Sequence, residues 1–169
     1  MMKFKEDLEY FENDDYQIVG IPYKNCRFSM FIILPREKFT LEKVLKSFSA
    51  SNLLKTLTRN VWVHFPRFKI ESNFDVKNIL QNLGITDAFN ENANFEGISE
   101  EEFLGVSEFQ HKAMIETNEF GTVAAAGSLG LSYDCYYESS ETFEFIADHP
   151  FMFIIADKQF NFIFAGTHF

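Results

Sequence analysis

Two β-rich runs, residues 17–21 and 28–34, are each closed by a proline, Pro22 and Pro35. Proline has no backbone N–H to give to a ladder, so each run can end as a strand but cannot continue through its proline. The linking Tyr23-Lys24-Asn25-Cys26-Arg27 is short and polar, which predicts a hairpin and two neighbouring strands. A sheet is therefore the element around which everything else has to pack. With 169 residues, 46% of them hydrophobic, the chain has enough apolar material to close a core. Its 22 phenylalanines predict that this core is built largely from rings.

Helices enter as minor partners. Thr40 is placed to cap a helix with Leu41, Val44, Leu45 and Phe48 on one face, at i, i+3, i+4 and i+7. After a break at residues 49–51, Leu53, Leu54 and Leu57 predict a second short helix. Residues 61–70 read as one strand, with Pro66 marking an edge or bulge. Val76, Ile79, Leu80 and Leu83 form the stripe of a third helix, which Gly84 stops. The acidic stretch from Glu6 to Asp15 reads as a lead-in to the first strand, and residues 90–102 as a polar loop. Residues 103–118 read as extended, and 142–146, 151–156 and 160–169 as closing strands. No internal repeat and no interdomain linker is present. Strands with a few helices between them give the α+β class.

The charge balance narrows the function. Against 25 Asp+Glu stand 15 Lys+Arg, a net charge of -10, which argues against nucleic acid and against an anionic membrane as partners. No apolar run approaches the roughly 20 residues of a spanning helix. The opening Met1-Met2-Lys3-Phe4-Lys5-Glu6-Asp7 lacks a signal-peptide core. Cys26 and Cys135 cannot form a disulfide framework. No two of His64, His111, His149 and His168 are spaced as ligands on one helix turn, so no metal is expected. Cys135 with His111 or His149 would make a thiol nucleophile, but an exposed loop lacks the oxyanion donors that acyl transfer needs. Gly121, Gly127 and Gly130 do not have phosphate-loop spacing. The acidic residues 100–102 read as a solvated loop face. The expectation is a protein that is not an enzyme and needs no cofactor.

The texture changes at Gly121-Thr122-Val123-Ala124-Ala125-Ala126-Gly127-Ser128-Leu129-Gly130, which is small, uncharged and without apolar periodicity. Residues 132–140 are equally aperiodic, so a long loop is predicted over about residues 119–142. Loops beyond roughly 12–15 residues usually carry function or disorder. Yet Thr122, Ala124, Ala126 and Ser128 alternate with Val123, Ala125, Gly127 and Leu129. As a strand, the first set is small enough to enter the middle of a sheet and would bury no charge. A segment suited to both states has the makings of a switch.

Glu119-Phe120-Gly121-Thr122-Val123-Ala124-Ala125-Ala126, preceded by His111-Lys112-Ala113-Met114-Ile115-Glu116, strongly resembles the strand and proximal hinge of the serpins. Phe65-Pro66-Arg67-Phe68-Lys69-Ile70-Glu71 is similar to a second family strand. Leu83-Gly84-Ile85-Thr86-Asp87-Ala88-Phe89 is similar to the segment after a family helix. Ala147-Asp148-His149-Pro150-Phe151 and Phe164-Ala165-Gly166 resemble the C-terminal signature and last strand. The resemblance runs from about Tyr10 to the end.

The resemblance implies a partial serpin fold, with mixed and antiparallel sheets, a few short helices and a long exposed reactive loop. It implies a suicide-substrate inhibitor of serine proteases, whose cleaved loop inserts into a sheet and distorts the acylated protease. By position, Glu119 and Gly121 are the hinge pivot, and Thr122, Ala124, Ala125 and Ala126 are the small residues that enter the sheet first. Phe120 departs from the family hinge, where a second glutamate is common. His111 corresponds to the histidine under the opening sheet. Counting from the hinge puts the scissile bond at Cys135-Tyr136; counting back from Pro150 puts it near Ser139-Ser140, so the candidate region includes Tyr137 and Ser139. Tyr133, Tyr136 and Tyr137 suit a chymotrypsin-like pocket. No Arg or Lys lies between Lys112 and Lys158, which disfavours a trypsin-like target.

Only the C-terminal half of the family's domain is matched, so the expectation is a truncated serpin domain over residues 1–169 in which trapping is impaired. The alternative is a non-inhibitory module that binds itself or another serpin segment by strand addition. The resemblance implies an extracellular protein, while the absence of a signal peptide leaves the cytoplasm open.

Overall fold

The computed structural model describes residues 1–24, 26–98, 104–118, 121–122 (by their backbone) and 142–169. Its strands and helices fall into two compact units, Met1–Phe68 with Glu116–Phe169, and Lys69–Ile115.

The first unit is organised by a seven-stranded sheet. Strand β1 (Met2–Glu12) turns at Asn13, whose Oδ1 accepts the backbone N–H groups of Asp15 and Tyr16 at 2.9 Å each. That side-chain turn is what an Asn-Asp-Asp sequence offers. It returns the chain as β2 (Tyr16–Pro22), which pairs antiparallel with β3 (Phe28–Pro35), Ile18 opposite Ile33. The expected hairpin is therefore present, with Cys26 of its loop at φ 50. Strand β4 (Leu57–Phe65) lies antiparallel to β1, from Met2 opposite Phe65 to Tyr10 opposite Leu57. The closing strands β8 (Phe143–Ile146), β9 (Phe151–Asp157) and β10 (Phe162–His168) complete the order β10-β9-β3-β2-β1-β4-β8.

One face of this sheet is covered by helix α1 (Leu41–Ser47) and a 3-10 turn, Ala50–Lys55. Val44 and Leu53 pack there with Tyr16, Ile18, Phe31, Ile33 and Ile154, and with the flanking rings of Phe11, Phe48 and Phe160. Phe65, Phe145, Phe151 and Phe153 are also fully buried, so the ring-rich core expected from composition is present. Each such burial contributes about 1.5–3 kcal/mol relative to exposure.

Several local expectations shift. Most of the acidic lead-in belongs to the 11-residue strand β1, because Leu8 and Tyr10 face inward while Glu6, Asp7 and Glu9 beside them are exposed. The single strand over 61–70 is two: β4 ends at Phe65, and β5 (Phe68–Asp75) begins after Pro66-Arg67. Thr40 precedes α1, but its hydroxyl is bonded to the Glu37 carbonyl at 2.7 Å and caps nothing. Leu54 is exposed, and Leu57 opens β4 and does not close a helix.

In the second unit, helix α2 (Lys77–Asn82) follows β5, opened by Asp75 accepting the Lys77 N–H and stopped at Gly84, whose φ of +93 is left-handed. None of its residues is buried. Strand β6 (Gln110–Asn118) runs from this unit into the first, and the 103–118 extended segment is a strand over 110–118 alone. With β7 (Gly121–Thr122) it forms a second sheet, in the order β5-β6-β7.

Candidate functional site

Strand β6 carries the start of a hairpin, and the chain re-enters the large sheet separately at β8. Strand β6 alternates, with Ile115 and Thr117 buried and Met114 exposed. Its last two residues pair antiparallel with β7, Thr117 opposite Thr122 and Asn118 opposite Gly121. Gly121 and Thr122 are thus brought back along β6. Among the described residues, β6 has no strand beside 110–116 on the side where β7 pairs. The buried Thr117 Oγ1 has no hydrogen-bond partner among them either.

Glu119, Ala124, Ala125, Ala126, Cys135, Tyr136, Tyr137 and Ser139 lie outside the described residues. His111 is exposed and stacks on Phe74 of β5, with ring centroids 5.6 Å apart and planes at 24°.

Downstream, β8 is a four-residue edge strand, parallel to β4, with Phe143 opposite Val61 and Ile146 opposite His64. The Phe143 ring lies 4.9 Å from that of Tyr10. Gln17 Nε2 donates both to the Tyr10 hydroxyl at 2.7 Å and to the backbone carbonyl of Glu144 at 3.1 Å. Tyr10 in turn donates to Glu12 Oε2 at 2.6 Å, which also accepts from Arg36 at 2.7 Å. The hydrogen bond to Tyr10 holds the Glu12 carboxyl below its ordinary range, with Arg36 adding to the effect. Burial, and then that same bond, push the Tyr10 hydroxyl upward, so the phenol stays a donor.

The turn from β8 to β9 is pinned separately. His149 Nε2 donates to the Pro35 carbonyl at 2.7 Å, and its Nδ1 lies 2.7 Å from Asp148 Oδ1. Asp148 Oδ2 pairs with Lys38 at 2.9 Å. The hydrogen bond to His149, then the one to Lys38, hold the Asp148 carboxyl at about 2. Sequence spacing does not single out the Tyr10–Gln17 group. Its one signal is the alternation of Leu8 and Tyr10 within the acidic stretch, which marks a strand with an inward tyrosine.

The β6–β7 pairing, the ring core and the strand order together fit a partial serpin fold. Over residues 1–169 the chain matches the family described as serpin (serine protease inhibitor). It is 38% identical over 176 residues to Serpin B10 of Plecturocebus moloch, covering 98% of this chain and 44% of that protein. It is 36% identical over 177 residues to plasminogen activator inhibitor 2 of Homo sapiens, covering 95% of this chain and 41% of that protein. Among solved structures it is similar to Serpin48, described as a highly specific serpin in the insect Tenebrio molitor. That similarity has a TM-score of 0.78 and 31% identity, over 98% of this chain and 44% of that one. The chain belongs to the serpin family. It spans under half the length of the curated relatives it matches.

Proposed function

We propose that this chain carries the reactive loop, hinge and receiving strand of a suicide-substrate inhibitor of serine proteases, with a chymotrypsin-like target preferred over a trypsin-like one. The observation that carries the reading is the register of β7 on β6. Continued residue for residue, the pairing sets Ala124 opposite Ile115, Ala126 opposite Ala113 and Ser128 opposite His111. Opposed residues of an antiparallel pair point to one face. Thr122, Ala124, Ala126 and Ser128 therefore fall on the face where Ile115 and Thr117 are buried. Val123, Ala125, Gly127 and Leu129 fall on the face of the exposed Met114 and Lys112. The small, uncharged set is the one that meets the interior, so insertion buries no ion and little bulk.

In this reading the protease serine attacks a loop carbonyl within residues 133–140 and becomes acylated. The freed N-terminal side of the loop then zips down β6 from the hinge. His111 and the pivot at Glu119 and Gly121 border its path. An inserted strand is stabilised fully only when both its edges are paired, and β6 supplies one of them. We therefore expect the isolated chain to be cut and not to hold the acyl-enzyme. Strand addition by a second copy or another serpin segment is the competing reading, favoured by the edge over 110–116, beside which no strand lies among the described residues.

The test is to mix the purified chain with chymotrypsin and separate the products on a denaturing gel. Cleavage within 133–140 supports the reading. A covalent complex that survives denaturation overturns the one-edge argument. A chain left intact by chymotrypsin and eluting as a discrete dimer replaces the inhibitor reading with strand addition.

A further inference from the structure

We infer that Gln17 and Tyr10 are positioning residues for β8, fixing through the Glu144 carbonyl the point where the chain re-enters the large sheet after residue 142. The inference rests on reading residues 119–142 as the reactive loop. Among the described residues, strand β8 lies at the end of the strand order and has one ladder neighbour, β4. A four-residue parallel edge pair is weak by itself. Gln17 belongs to β2, which β1 and β4 separate from β8 in the strand order, so its 3.1 Å bond to Glu144 ties β8 to a strand it does not pair with.

The bond has the marks of a built contact. Gln17 donates from one nitrogen to two acceptors, and the carboxamide is oriented by a buried tyrosine whose own hydrogen goes to Glu12. Glu12 is held in turn by Arg36, at the end of β3. Each group has one role consistent with its chemistry: carboxylate as acceptor, phenol as relay, carboxamide as donor. Phe143 adds ring packing on the same tyrosine. Releasing the four residues of β8 would lengthen the loop's tether by about 13 Å, at about 3.3 Å per residue.

Two variants of the full chain test this. Gln17→Glu keeps the shape but removes both donors. Tyr10→Phe keeps the ring against Phe143 but removes the relay. Amide hydrogen exchange, followed by mass spectrometry, is read on β8 and on the β3–β9 pair as an internal reference. Both variants are expected to speed exchange in β8 by about tenfold or more and to leave β3–β9 unchanged. Chymotrypsin is expected to cut within 133–140 several-fold faster, because a protease takes its substrate extended and a released β8 supplies slack. Unchanged β8 exchange overturns the inference, as does equal acceleration throughout the sheet, which would mark a merely structural role. If Gln17→Glu fails to fold, Tyr10→Phe carries the same test. The exchange measurement uses no protease, so it can fail while the inhibitor reading stands, and the reverse.

Discussion

Asp148 shows how a single exposed carboxylate acquires a pH signature. Its pKa is drawn down to about 2 by the hydrogen bond to His149 and then by Lys38. Because the folded value lies below the unfolded one, the group stabilises the fold above about pH 4, its unfolded value, and loses that effect as pH falls through about 2. Half-exposed ion pairs are well screened, so the effect is modest. Asp148→Asn is expected to lower the urea midpoint at neutral pH, with the gap from the unaltered chain closing between pH 4 and pH 2. A gap that stays constant over that range would mean that it does not come from the ionised carboxyl. Lys38 and Asp148 are 110 residues apart, and nothing in their spacing announces the pair.

At the scale of elements, the outer strands show why packing limits substitution. A Cβ placed on Gly166 of β10 would lie 2.6 Å from Cζ of Phe153, a ring on β9 that is fully buried and has nowhere to move. Gly166→Ala is therefore expected to destabilise the chain by about 1–3 kcal/mol, measured by chemical denaturation. Strands whose apolar residues are continuous, such as β3 and β9, were legible in the sequence, and so was the hairpin closed by prolines. Strand β1 was not, because its two buried residues sit among charges that face water. Nor was the break at Pro66-Arg67, since the same apolar pattern continues on both sides of it. The stripe of α2 predicted a helix correctly, yet none of its residues is buried, and periodicity cannot say what a stripe packs against. Of the candidate site, the small residues in alternation after Gly121 led to the hinge expectation, and all of them past Thr122 lie outside the described residues. The Tyr10–Gln17–Glu144 contact was not legible, because it joins strands that never pair.

At the scale of the whole molecule, the chain spans under half the length of its relatives, and the proposed function places a receiving strand and a donor segment on it. Phe39 and Phe169, at 90% and 85% exposure, show that not every ring finds a place inside. The central claim is that the segment after the hinge continues along β6 in the register that Thr117–Thr122 begins. Cysteines at 114 and 125, in a chain with Cys26→Ser and Cys135→Ser, would stand opposite each other on the exposed face at cross-strand distance. In a control, Ile115→Cys with Ala125→Cys, the pair is out of register by one residue and on opposite faces. After cleavage within 133–140, mild oxidation is expected to link Met114→Cys with Ala125→Cys and to leave the control reduced, read as a mass change on intact and reduced samples. Equal linking of both pairs, or of the control alone, would contradict the register and with it the account of how the loop is received.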